Sequence, residues 1–337
     1  MGETRYFIKK VGSEHPFVFI DAGAMGGVSL KKWKEVLPIM RFVGFEPDCR
    51  EFSKLENTQK VQYSNYLLHS KSQDLTLYIT RGRGKTSIFR PNMGLLSRYE
   101  DAERFEVIEE KMIPSSRVTT LDSFMDQNGI SGIDFLKIDT QGSELSILQG
   151  GRDKALPGIF AIQTEAEFAE LYHGQPLFRD IDAFMDAHGY QLIDLRRAYW
   201  KLKGYYDYNG KGELIFADAL YFKKLDIFQQ EISDGPKAAQ NRAKIFKSIL
   251  TCIVYGIFDY AISIARIGLE SNCFKDGEDA DIASQIRKIA RKGTLSRFHI
   301  GCRPYDALSA ALQRCKPRSY LGWADGDSQI GNTKASD

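Results

Sequence analysis

Apolar positions in the first two thirds of this 337-residue chain follow two rhythms. Short, nearly unbroken apolar runs lie at Phe17–Asp21, Arg41–Glu46, Val61–Leu68, Ile133–Asp139 and Ile159–Glu165. Runs of that kind mark strands buried on both faces. Between them apolar residues recur at helical spacing: Val28–Leu37 stopped by Pro38, Cys49–Glu56, Leu121–Gln127 ended by Gly129, Ser143–Leu148, and Leu177–Ala187 capped by Gly189. Leu75–Thr80 alternates apolar and polar, as an added antiparallel strand does. The charged stretch Pro91–Glu110 reads as a helix, followed by a strand through Val118.

Strands alternating with helices imply βαβ units and a mostly parallel sheet. Tyr190–Leu195 and Leu214–Phe222 have no helix between them and should pair antiparallel. The predicted fold is therefore α/β and Rossmann-like, a mostly parallel sheet ending in an antiparallel hairpin. That arrangement is typical of class I S-adenosylmethionine-dependent methyltransferases. From Leu225 the texture changes: Ala238–Ser271 and Ala280–Lys292 look helical and no strand candidate remains. Residues 1–225 are expected to form the α/β domain and 226–324 a C-terminal helical appendage, with 325–337 a small, polar, disordered tail. Lys247, Asp259 and Arg266 interrupt the most apolar stretch, Ile245–Ile267. It reads as a buried helix or helix pair, with no membrane span. Its segment around Ile253–Ile264 could bury against a second copy, giving a homodimer.

Composition narrows the partners. A net charge of +2 does not call for nucleic acid or an anionic membrane. Five cysteines without a CxxC pair argue against a zinc site or a disulfide framework and fit a reducing compartment. The start, MGETRYFIKK, has no apolar signal core, and Tyr6 stands where a myristoylation motif wants Ser or Thr. A cytoplasmic location is expected.

Candidate chemistry sits where predicted strands end, since ligands of open α/β sheets bind at the carboxyl ends of strands. The first strand runs into Asp21-Ala-Gly23-Ala24-Met25-Gly26, a pattern looser than the dinucleotide fingerprint G-x-G-x-x-G. A sulfonium nucleoside has no pyrophosphate to cradle, so the difference is informative, and a dehydrogenase fits less well. The second strand ends in Glu46, roughly 25 residues after Asp21, where an acid can bond both ribose hydroxyls. The third leads to Asp139, with Lys137 breaking its apolar run and set to reach a rim or pair with a carboxylate. Glu144, in the first turn of the next helix, is either a capping acid or a functional one. Glu165 and Glu167 end a further strand, and His173 follows in a loop. The basic loop "RGRGKTSIF", Arg81 to Phe89, either contacts an anionic acceptor or is a solvated hairpin tip. The basic run Ile286–Arg303 reads as a solvated helix face.

Taken together, "FIDAGAMGGVSL", "VGFEPD", "RVTTLDSFM", "IDFLKIDTQGSELSILQGG", "QTEAEF" and "LYHGQPLFRDIDAFMDAHGYQLIDL" resemble the FkbM family of S-adenosylmethionine-dependent O-methyltransferases, in the family's order over about residues 15 to 225. The resemblance implies S-adenosyl-L-methionine as cofactor. Asp21, Gly23, Ala24, Met25 and Gly26 would form the loop on its methionine side. Glu46, followed by Pro47, would hold the ribose, and backbone around Leu68 the adenine, with Asp139 completing the site. Met25 stands where the family usually has Asn, and Ser70 replaces an acid after the third strand.

Methyl transfer from a sulfonium to oxygen needs alignment of the acceptor and a base for its proton. Asp139, Glu165 and His173 are the candidate catalytic residues, with Asp139 orienting or deprotonating the acceptor and the other two on the acceptor side. No ligand spacing argues for a metal. The expected acceptor is a hydroxyl of a carbohydrate or related small molecule. The alternative is a non-catalytic binding protein with a degenerate methyltransferase fold, docking a partner through its helical tail.

Overall fold

The computed structural model describes residues 4–291 except 13, 28–31, 206, 208–211, 235–237 and 275–276. Eleven strands lie among them: β1 (Phe17–Ala22), β2 (Met40–Phe45), β3 (Val61–Ser64), β4 (Leu67–Leu68), β5 (Leu75–Thr80), β6 (Val107–Ile113), β7 (Val118–Thr119), β8 (Phe135–Ile138), β9 (Ala161–Glu167), β10 (Tyr190–Trp200) and β11 (Glu213–Lys223). Seven of these strands form one sheet in the order β10-β11-β9-β8-β1-β2-β3. β1 pairs in parallel with β2 on one side and β8 on the other, while β11 runs antiparallel to both β9 and β10. The order reverses between β1 and β8, which opens a ligand crevice at the strands' carboxyl ends.

Alternation along β1 sends its side chains to two different cores. Phe17 and Phe19 join Phe42, Phe135, Phe160 and Phe222 on one face. The Phe19 ring lies 5.5 Å from that of Phe42 and 5.0 Å from that of Phe135, each on a neighbouring strand. Val18, Ile20 and Ala22 enter the other core. There α4 (Leu121–Gln127), α5 (Glu144–Gln149) and α7 (Phe178–Ala187) supply Phe124, Ile147 and Ile181. The first face is covered by α1 (Thr4–Val11), α8 (Leu225–Asp234), α9 (Ala238–Tyr255), α10 (Phe258–Glu270) and α11 (Glu278–Arg291). No helix among the described residues is long and apolar enough to cross a membrane.

Several expected elements take a different form. Val61–Leu68 is two strands: β3 stays in the main sheet, and β4 leaves it to pair with β7. At the break, Arg117 binds the backbone carbonyl of Asn65 at 2.8 Å. β5 does not extend the main sheet but forms a separate ribbon with β6. Cys49–Glu56 is helical only over Cys49–Phe52. Of the helix expected at Val28–Leu37, residues 28–31 lie outside the described residues; 32–36 form turns, and Pro38 sits inside a 3-10 turn, Leu37–Ile39. Ala238–Ser271 is the helix pair α9 and α10. The apolar face around Ile253–Ile264 is covered by the chain's own sheet: both residues are buried in the core with Phe135 and Phe160. The expected tail, 325–337, lies outside the described residues, as does most of the basic run Ile286–Arg303.

Candidate active site

The carboxyl ends of β1, β2, β8 and β9 border one cavity of about 560 Å³. Strand β1 is followed by Gly23, at φ +92°, where a Cβ would lie 1.9 Å from the backbone oxygen of Asp139. Only glycine lets the two loops meet so closely. The amides of Gly23 and Ala24 both donate to the Phe45 carbonyl, at 3.0 and 2.9 Å. They are therefore not free to hold a ligand. Gly23 and Met25 line the cavity; Ala24 and Gly26 do not.

Asp21 also lies off the lining. Its carboxylate pairs with Lys137 Nζ at 3.1 Å, and the same ammonium is 3.9 Å from Asp139. Burial pushes the Asp21 carboxyl up to about 6, with Lys137 opposing. Lys137 thus turns toward the carboxylates, one of the two fates read from its place in the strand.

Glu46, Pro47 and Leu68 line the cavity as expected. Glu46 is 6% exposed. Its Oε1 accepts from the Asp48 amide at 2.9 Å. No hydrogen bond reaches Oε2 among the described residues. Burial drives this carboxyl up to about 7 against that hydrogen bond.

Asp139 and Glu165 face the same cavity. The Asp139 side chain is 40% exposed. Glu165 is buried, and burial, then the charges of Asp139 and Glu167, hold its carboxyl well above the usual range. His173 is exposed and off the lining; its neighbour Tyr172 is the buried one. Glu144 is buried and accepts from the Thr140 amide at 2.7 Å, which closes the turn after β8 from within.

Gln141 is the residue that sequence reasoning missed. It holds the left-handed conformation at φ +59°, rare for this side chain. Its Nε2 donates to Glu165 at 2.7 Å and lies 3.3 Å from Asp139 Oδ1. On its other end, Oε1 faces the Tyr172 hydroxyl at 2.9 Å and Lys85 Nζ at 3.4 Å. A strap formed by the basic loop closes this side. Ser87 donates to the Gln141 carbonyl at 2.6 Å, and the Ser87 and Tyr78 backbones bond each other. At the strap's tip, Gly84 has φ +74°, and a Cβ there would lie 2.8 Å from Met25 Cε. Met25, the departure noted in the glycine loop, is therefore the contact between that loop and the strap.

A family model described as the methyltransferase FkbM domain matches residues 21–192, just over half of the chain. The chain belongs to the FkbM methyltransferase family. A curated relative, the 2-O-methyltransferase NoeI of Sinorhizobium fredii, is 21% identical over 168 residues, which is 49% of this chain and 69% of that protein. Among solved structures, a precorrin-6y C5,15-methyltransferase from Geobacter metallireducens aligns with 65% of this chain and 87% of its own, at 14% identity and a TM-score of 0.31. An S-adenosylmethionine-dependent methyltransferase from Anabaena variabilis aligns with 63% of this chain and 79% of its own, at 10% identity and a TM-score of 0.29. Likeness at that level carries no weight for the fold, which rests on the strand order above. Methyltransferase activity follows from the family.

Proposed function

We propose that this FkbM-family protein uses S-adenosylmethionine to methylate a hydroxyl of a carbohydrate or related small molecule. The reading is carried by one observation: Glu46 and Asp139, at the ends of the two strands that flank β1, share a single cavity. Its volume of about 560 Å³ is in the range of small-molecule sites. The residues fit the cofactor. Glu46 keeps Oε2 open for ribose hydroxyls, while Leu68, Leu77 and Ile147 line the cavity with apolar surface suited to adenine. Bound there, the cofactor supplies a methyl carbon on a positively charged sulfur.

The chain's own work is on the acceptor. Asp139 takes the hydroxyl proton as the C–O bond forms and the C–S bond breaks, leaving a methyl ether and S-adenosylhomocysteine. Glu165, whose burial favours the protonated form, is the group that offers a hydrogen bond to the acceptor. Gln141 holds both acids in register. The name of the NoeI relative supports oxygen as the acceptor atom.

Calorimetry with S-adenosylhomocysteine should show binding, and mass spectrometry over nucleotide sugars and glycans should find a gain of one methyl group. Asp139→Asn should keep the binding and lower turnover by roughly 10²- to 10⁴-fold, the usual contribution of a positioned base. Full turnover in that variant would overturn the assignment.

A further inference from the structure

Four cationic side chains line the cavity: Arg83, Lys85, Arg104 and Lys137. Two are answered by carboxylates, Lys137 by Asp21 at 3.1 Å and Arg83 by Glu51 at 3.3 Å. Lys85 and Arg104 are half-buried and, among the described residues, form no ion pair. Lys85 Nζ has the Gln141 amide oxygen at 3.4 Å and the Phe105 ring centre at 5.7 Å. Among the described residues, Arg104 Nε donates to the backbone oxygen of Asp101, at 3.2 Å.

Their backbones are fixed. Gly82 donates to the Arg104 carbonyl and Arg81 to the Glu106 carbonyl, both at 2.8 Å, so the strap and the 3-10 turn at Ala102–Phe105 move together. The Tyr172 hydroxyl lies 3.1 Å from the Lys85 carbonyl. Such anchoring does not describe a free hairpin tip. Gln141 also stands between Lys85 and the acids, its amide oxygen toward the ammonium and its NH₂ toward Asp139 and Glu165. Gln141 thus spaces the ammonium from the two acids, while the ammonium's charge still acts on Glu165. Partly desolvated cations without a counter-charge are costly unless a ligand supplies one.

We infer that Lys85 and Arg104 form an anion subsite of the acceptor site, and that the molecule methylated carries a phosphate or carboxylate beside its reacting hydroxyl. The guanidinium offers a planar fork and the ammonium a point charge, a pairing suited to either group. That the anion belongs to the acceptor rests on the proposed function, while the subsite itself rests on two cavity-lining cations that form no ion pair among the described residues.

The test is calorimetric titration, with and without S-adenosylhomocysteine, of inorganic pyrophosphate, glucose 1-phosphate, glucuronate and neutral methyl glucoside. At least one anionic probe should bind, and methyl glucoside should bind much more weakly. Lys85→Gln and Arg104→Gln should each weaken the anionic probe roughly tenfold or more, the loss expected for a charged hydrogen bond. Both variants should leave S-adenosylhomocysteine binding unchanged, which also shows that they are folded. Preference for the phosphates over glucuronate, or the reverse, identifies the anion. Absence of anion binding, equal binding of methyl glucoside, or undiminished anion binding in the double variant overturns the subsite. Binding of S-adenosylhomocysteine with no anion binding would leave the methyltransferase reading intact and remove this one. Charge-dependent anion binding without S-adenosylhomocysteine binding would do the opposite.

Discussion

The ribose-binding role proposed for Glu46 is in conflict with stability. Its carboxyl sits at about 7 in the fold against an ordinary 4.5, chiefly because it is buried. The folded chain therefore holds this proton more tightly than the unfolded chain. The stabilisation is fully present below about 4.5 and is lost as pH rises through about 7. Glu46→Gln should accordingly raise the melting temperature near pH 8 by the equivalent of about 1–3 kcal/mol and change little near pH 4.5. Differential scanning calorimetry at the two pH values checks it. The ionised carboxylate is also the better acceptor for ribose hydroxyls, so wild-type affinity for S-adenosylhomocysteine should rise with pH and level off above about 7. The Gln variant should bind more weakly at every pH and lose that slope. Glu46, Asp139 and Glu165 were legible in the sequence because each ends an apolar run, and strand ends are where such folds bind. Gln141, Lys85 and Arg104 were not. Their placement at the cavity depends on a left-handed backbone and on a strap that joins residues far apart in the chain, and neither leaves a periodic trace.

Elements buried on both faces, such as β1, announce themselves by unbroken apolar runs. The short pieces do not: β3 and β4 read as one strand because the turn between them, Asn65–Tyr66, carries no glycine or proline. The docking of α9 is likewise invisible in the sequence. Lys247 on that helix meets Asp134, just before β8, at 2.9 Å, and Asp134 Oδ2 also accepts from the Val18 amide at 2.7 Å. Both side chains are largely buried, and burial raises the Asp134 carboxyl even with Lys247 beside it. Removing one partner leaves the other charge unanswered, which costs about 3–5 kcal/mol, whereas removing both costs less. Asp134→Ala and Lys247→Met should each lower the denaturation midpoint sharply, and the double variant should be more stable than Asp134→Ala alone. Additive losses in urea titrations would show that the pair does not couple α9 to the sheet.

At the scale of the whole molecule, the C-terminal helices share a core with the sheet. Phe17, Phe19, Phe42, Phe135, Phe160 and Phe222 are buried together with Phe228, Phe246, Ile249, Ile264 and Ile282 of α8 to α11. The change of texture at Leu225 marks where strands stop; it says nothing about where the core stops, because packing between distant segments has no local signature. The matched family region, residues 21–192, ends before these helices. A fragment of residues 1–224 would therefore keep every strand of the described residues and the cavity lining while baring one aromatic face of the sheet. Each buried phenylalanine contributes about 1.5–3 kcal/mol. Baring several at once exceeds the total stability of a typical domain, about 5–15 kcal/mol. The fragment should aggregate or run expanded on size-exclusion chromatography, without a cooperative melt and without binding S-adenosylhomocysteine, although no residue of α8–α11 lines the site. A monodisperse fragment that melts cooperatively and binds would instead make 226–324 a separable region, and the coupling of α9 through Asp134 a local matter.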